Sequence, residues 1–194
     1  MLIDIYLHDI NNFLYYDIQD ISKLLIFTII PKRANMSKED KFFYSNQIPS
    51  WLNEVMCGMM LSDGNLRMNG NNALFSVQQT HQELTEGLWK MCHDLNLTIS
   101  PVKTFQRPDN RKLVYYFQSL TMPYFTNVYN TWYKLSYDNN KVYKVVPNNI
   151  DELLTPIGLA YWIKGYGSFN NYGRGLGRIS LHTNWFTLNE VNLL

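Results

Sequence analysis

The chain repeats itself, and this repeat limits its possible folds more than any other feature. Two apolar stretches at helical spacing, Trp51–Gly64 and Leu159–Gly167, both end in glycine. The segments after them keep a common register. Asp63 and Tyr166 stand 103 residues apart at the two helix ends, and Ser76 and Ser180, then Glu86 and Glu190, stand 104 apart. Phe75-Ser-Val-Gln-Gln-Thr80 followed by Glu83-Leu-Thr-Glu86 is mirrored by Ile179-Ser-Leu-His-Thr-Asn184 followed by Thr187-Leu-Asn-Glu190. Helix end, strand and next helix keep their offsets to within one residue, which is the mark of a duplicated half-domain.

The first copy is the fuller one. Pro49-Ser50 opens a helix in which Trp51, Leu52, Val55, Met56, Met59 and Met60 recur on one side, and Ser62-Asp63-Gly64 closes it. Asn65–Asn72 and Ala73–Thr80 read as a hairpin about an Asn-Gly turn. His81–Asp94 returns to helical spacing. Pro101–Gln106 and Lys112–Ser119 read as two more strands across a Pro-Asp-Asn turn, and Pro123–Tyr133 as a further helix. The unit is helix, two strands, helix, two strands, helix. It begins again near Pro156 and has just reached its second helix at Leu194. The expected organisation is an extension over 1–48, a first repeat over 49–148 and a truncated second repeat over 149–194.

Composition excludes several other classes. Seventeen Lys and Arg against sixteen Asp and Glu rule out an acidic tail or a protein that coats nucleic acid by bulk charge, while leaving room for a local basic face. Apolar residues at 46% with charged residues at 17% exclude a disordered chain. Cys57 and Cys92 make no disulfide framework or zinc motif, which fits a reducing compartment. No stretch approaches the roughly 18–20 apolar residues of a membrane span, so no membrane partner is expected. The first thirty residues, which read as helical or mixed, carry Asp4, Asp9, Asp17 and Asp20 and match neither a secretory signal nor a transit peptide. Pro31–Lys41 reads as a linker.

Met56-Cys-Gly-Met-Met-Leu-Ser-Asp-Gly64 resembles the signature of the LAGLIDADG homing endonucleases, with Gly58, Asp63 and Gly64 matching outright. Leu159–Gly167, preceded by Leu154-Thr-Pro156, resembles the second signature of that family. The resemblance covers about residues 49–194 and implies an α+β fold, the duplicated αββαββα LAGLIDADG architecture. It implies two signature helices packed side by side, with Gly58 and Ala160 allowing close approach. It also implies two four-stranded sheets forming a saddle that reads a double-stranded DNA site in the major groove. The acids at the two helix tips would hold Mg²⁺, a hard ion suited to carboxylate, water and phosphate oxygens, which would activate water and stabilise the leaving oxygen.

In this sequence the resemblance puts the catalytic acid of the first repeat at Asp63 and the metal positions at Asp63 and Gly64. The second acid position is held by Tyr166, with Gly165 before it. A phenol of reference pKa about 10 is neutral at pH 7 and binds Mg²⁺ poorly, so double-strand cleavage is expected to be weak or absent. Taken without the repeat, Asp63-Gly64 is simply the turn that ends a helix.

The candidate DNA-reading residues are those that alternate outward on the strands: Asn65, Arg67 and Asn69, then Ser76, Gln78 and Thr80. A solvated strand face shows the same alternation. Lys103, Arg107, Arg111 and Lys112 either contact phosphates or form a charged hairpin tip. Lys141 and Lys144 match a basic stretch of the family, where phosphate contact or no contact is expected and catalysis is not. His81, His93 and His182 lack metal-ligand spacing and suit surface or capping roles.

The function that the resemblance implies is a site-specific, Mg²⁺-dependent endodeoxyribonuclease of a mobile group I intron, its activity in this chain put in question by Tyr166. The alternatives are a maturase that binds group I intron RNA and an inactive remnant. The resemblance implies a mitochondrial location.

Overall fold

The computed structural model describes residues 36–108, 112–136, 141–171 and 177–194, and the side chains of Asn170 and Asn171 are not part of that description. The chain divides into two compact units, Met1–Arg33 and Ala34–Leu194, and every described element belongs to the second. The reading of residues 1–30 as helical or mixed lies outside the described residues.

Helix α1 (Lys38–Ser45) starts at Ser37, whose hydroxyl accepts from the Asp40 N–H while the Asp40 carboxylate accepts from Ser37 N–H. This reciprocal cap satisfies two of the helix's orphan donors. The expected linker up to Lys41 is therefore helical from Lys38, because Ser-x-x-Asp is itself a helix start. Tyr44 is buried, Lys41 Nζ donates to Thr121 Oγ1 at 2.9 Å, and Ser45 Oγ accepts from the Tyr124 N–H. Part of the expected extension thus packs on the first repeat.

Helix α2 (Ser50–Leu61) buries Leu52 and every residue from Val55 to Leu61, as a helix apolar on most sides must. Strands β1 (Asn65–Asn69) and β2 (Asn72–Gln79) come next as a hairpin. Gly70 and Asn71 form its loop, and Gly70 takes φ +66° at the first central position, the conformation a type II′ turn requires. Asn69 is thus the last paired residue, opposite Asn72, rather than a turn residue. Helix α3 (Gln82–Asp94) ends with Asn96 in the left-handed region at φ +57°, which brings the Leu97 N–H back to the Cys92 carbonyl at 2.7 Å.

Strands β3 (Lys103–Gln106) and β4 (Leu113–Gln118) complete a four-stranded antiparallel sheet of order β1-β2-β4-β3. Helix α4 (Pro123–Trp132) covers one face of it. Phe75 of β2 stacks on Phe125 of α4 and meets Phe117 of β4 edge-on. The αββαββα unit of the first repeat is complete.

A hairpin that the sequence does not announce comes after α4, β5 (Tyr133–Leu135) with β6 (Val142–Lys144). Each strand has three residues, too few to show a period-2 pattern. The second repeat then supplies short α5 (Ile150–Leu153), α6 (Pro156–Tyr166), β7 (Gly167–Asn171), β8 (Gly177–Leu181) and short α7 (Leu188–Val191). Thr155 caps α6, and Pro156 occupies its first position, where a missing N–H does no harm. The two four-stranded sheets expected from the resemblance are one of four strands and one of two, β7–β8, among the described residues. These two are the counterparts of β1 and β2. No described helix is long and apolar enough to cross a membrane.

Candidate nucleic-acid site at the helix tips

Helices α2 and α6 lie against each other so closely that side chains are excluded at the contact. A Cβ on Gly58 would run into the Gly158 carbonyl oxygen, and one on Gly165 would run into the Ser62 side chain. The resemblance puts Gly58 and Ala160 at the close approach of the helices; the residues facing Gly58 are Gly158 and Tyr161, and Ala160 is half-buried. Helix geometry explains the correction. Gly158, Tyr161 and Gly165 recur at steps of three and four and share a face, whereas a residue two positions from Gly158 points away from it.

This packing sets the two helix ends side by side. Gly64 N–H bonds back to the Met59 carbonyl at 2.8 Å, and a Cβ at Gly64 would collide with that same carbonyl. Glycine at this position is therefore a requirement of the chain's exit from α2. It delivers Asp63 opposite Tyr166, whose phenol donates a hydrogen bond to the carboxylate. Burial pushes the Asp63 pKa up, against the opposing effects of Tyr166, Lys144 and His81. The Tyr166 pKa is likewise raised, by burial first and then by the Asp63 charge. The indole N–H of Trp185 donates to the same phenol and acts the other way.

Lys144 completes the site. From the end of β6 its ammonium reaches the carbonyls of Met60 at 3.0 Å, Ser62 at 3.5 Å and Gly64 at 2.7 Å. These oxygens belong to the C-terminal end of α2 and the exit from it, where carbonyls lack helical partners and the dipole is negative. Burial lowers the Lys144 pKa to about 8, with Asp63 opposing the shift. The expectation for this lysine was phosphate contact or nothing; its donors are taken up by main-chain oxygens instead.

The donors present fit Mg²⁺ poorly. Among the described residues no group of three or more His, Cys, Asp or Glu could hold a metal ion. The tips offer one carboxylate already accepting a phenol proton, a neutral phenol, and a Gly64 carbonyl occupied by an ammonium. A hard dication needs more anionic oxygen than this.

The strand residues singled out from the sequence separate into groups. Asn65, Arg67 and Asn69 are exposed on β1, Ser76 is half-buried and Gln78 exposed on β2, and Thr80 is exposed just beyond it. Cross-strand register sets Asn65, Ser76 and Gln118 in one row and Gln78, Tyr116 and Lys103 in another, all on the same face. Asn65 is not a free reader, since its amide oxygen accepts from the Tyr133 phenol at 3.0 Å. Arg107 and Lys112 are exposed at the ends of the β3–β4 loop. Arg111 lies outside the described residues.

Four residues with notable settings in the structure are not identified by sequence reasoning. Trp185 and Tyr133 sit where spacing carries no signal. His81 interacts electrostatically with Asp63, although its spacing suggests only a surface or capping role. Gln79 had a legible signal. It falls on the core-facing parity of β2 with Phe75 and Val77, it is buried, and neither atom of its amide has a partner. A glutamine at a core position breaks the pattern and marks a polar interior.

Residues 53–194 match the LAGLIDADG DNA endonuclease family. The chain is 29% identical over 167 residues to the cytochrome b mRNA maturase bI2 of Debaryomyces hansenii, covering 82% of this chain and 60% of that protein. It is 27% identical over 148 residues to the cytochrome b mRNA maturase bI2 of Saccharomyces cerevisiae, covering 72% of this chain and 34% of that one. The chain therefore spans only part of the length of these relatives. Its fold is similar to that of the homing endonuclease I-WcaI, solved bound to its DNA recognition sequence, with a TM-score of 0.62, 21% identity and coverage of 85% of this chain and 76% of that one. With the duplicated signature helices in contact and the family match spanning both repeats, the chain belongs to the LAGLIDADG DNA endonuclease family.

Proposed function

We propose that this chain is a maturase-type LAGLIDADG protein, which binds the RNA of a group I intron and aids its splicing without cutting DNA. The observation that carries the reading is the Tyr166 phenol standing where the second carboxylate would be and hydrogen-bonded to Asp63. By the family resemblance, cleavage of two strands would call on an acid at each helix tip to hold a metal ion, which would supply an activated water. Here one tip is neutral, and the Lys144 ammonium already answers the charge of the other. Binding does not need the missing acid. The strand face with Arg67, Gln78 and Lys103 supplies donors for phosphates and base edges. The names of the two maturase relatives support this reading, and the cytochrome b mRNA in those names supports a mitochondrial location.

A second reading is a Mg²⁺-dependent, site-specific endonuclease of a mobile intron. It is favoured by Asp63, which stands at the end of α2. One experiment separates the two. Purified full chain is incubated with the transcript of the intron that carries its reading frame, and separately with DNA spanning the intronless junction in Mg²⁺. Faster splicing that survives Asp63→Asn, with no double-strand cut, is the expected result. A Mg²⁺-dependent cut of both strands abolished by Asp63→Asn would establish the endonuclease.

A further inference from the structure

We propose that Trp185 and Tyr166 form a stacking site for one unpaired nucleobase of RNA, selective for bases that carry an exocyclic amine. The site deepens the reading that this chain binds intron RNA and rests on it. Trp185 is 79% exposed, the most of any large apolar residue described. Exposed single apolar residues are common and mean little alone. This one is held in place.

Its turn is closed by a hydrogen bond from Phe186 N–H to the Thr183 carbonyl at 3.0 Å. Directly after it, Thr187 and Glu190 form a reciprocal helix cap, and Glu190 Oε1 also accepts from Val146 N–H at 3.0 Å. Directly before it, His182 N–H donates to the Tyr166 carbonyl at 3.2 Å. The indole N–H is bonded to the Tyr166 phenol, so the ring's edge is fixed at the helix tip. An aromatic plane held this way has already met most of the ordering cost that a ligand would otherwise impose. Stacking on such a plane is the usual way in which proteins hold single-stranded bases.

The edge of the site gives selectivity. Tyr166 Oη has committed its proton to Asp63 and accepts from Trp185, which leaves lone-pair capacity. The Asp63 carboxylate also has acceptor positions beyond the one taken by Tyr166. The oxygens beside the indole are acceptors, and the neighbouring Lys144 ammonium spends its donors on main-chain carbonyls. Adenine, cytosine and guanine present amino protons to these oxygens, while uracil shows two carbonyl oxygens around a single N–H. A base within a duplex is excluded, because both its faces are stacked and its edge is paired.

The test uses the full chain and fluorescence anisotropy with three labelled probes: a ten-nucleotide oligoadenylate, the matching oligouridylate and a DNA duplex. Wild type should bind oligoadenylate more tightly than oligouridylate. Trp185→Ala should weaken oligoadenylate binding about tenfold while duplex affinity stays constant, and Trp185→Phe should stay within about threefold of wild type. Tyr166→Phe should bring the two single-strand affinities together. Trp185 lies outside the core, so the melting temperature of Trp185→Ala should match wild type and show that the variant is folded. Unchanged oligoadenylate affinity in Trp185→Ala, an equal loss on the duplex, or a wild type without preference for oligoadenylate would each overturn the proposal. Loss of affinity in Trp185→Ala, in a protein that does not speed splicing, would keep the stacking site and remove the maturase reading.

Discussion

The Lys144 ammonium donates to the Gly64 carbonyl at 2.7 Å, tying the last strand of an inserted hairpin to the end of the first signature helix. The same ammonium reaches the carbonyls of Met60 and Ser62, so one side chain satisfies three main-chain acceptors beside the Asp63 carboxylate.

Lys144→Met keeps the length of the stem and removes the donors, leaving those half-buried carbonyls without their partner. The expected loss is about 1–3 kcal/mol of folding stability, the penalty for stranding buried acceptors. Urea titration of wild type and variant measures it. A loss below about 0.5 kcal/mol would mean that water replaces the ammonium at no cost.

Asp63→Asn should stabilise the fold at pH 7. Burial raises the folded-state pKa of Asp63 above its ordinary value of 3.8, so the folded chain holds this proton more tightly than the unfolded chain. The stability tied to that proton is fully present below pH 3.8 and is lost as pH rises through the folded-state value. The variant, neutral throughout, should melt higher than wild type at pH 7, with the difference shrinking toward zero below about pH 3.8. Thermal melts across that range check the sign, and a lower melting temperature at pH 7 contradicts it.

Helix packing gives a graded prediction. At Gly58 an added Cβ meets main chain of the neighbouring helix, which cannot rotate aside, whereas at Gly158 the nearest contact is 3.1 Å. Gly58→Ala should therefore cost at least about 3 kcal/mol and Gly158→Ala about 1 kcal/mol, read from denaturant midpoints. Equal effects would mean that the two glycines share the contact symmetrically.

Tyr166→Asp restores a second carboxylate opposite Asp63. Wild type should show no shift in melting temperature when Mg²⁺ is added. Tyr166→Asp should gain about 1.4 kcal/mol of stability once Mg²⁺ exceeds its dissociation constant tenfold. Differential scanning fluorimetry with and without Mg²⁺ reads this directly. A wild type stabilised by Mg²⁺ to the same degree would show that one acid suffices.

Most of the first repeat was legible because its signals are local. Apolar positions at helical spacing, a glycine in the hairpin loop and period-2 runs are written into consecutive residues, and the elements from α2 to α4 fall within a few residues of their expected places. Errors cluster where elements are short or where a contact involves distant residues. The three-residue strands of β5 and β6 have no period to read. Ala160 and Gly158 are both small, and only the rotational setting of α6 against α2 selects between them.

Neighbouring residues along the chain are enough to specify two similar apolar helices, an end on each where a carboxylate or its replacement stands, and strands with polar outward residues after them. Repeats, periodicity and turn residues are properties of neighbours along the chain, so they survive without coordinates. The bond of Tyr166 to Asp63, the inward turn of Lys144 to main-chain oxygens and the reach of Trp185 to the same point come from folding. Those contacts join residues 19 to 103 positions apart, and hydrogen-bond partners at such separations are chosen by how the helices pack.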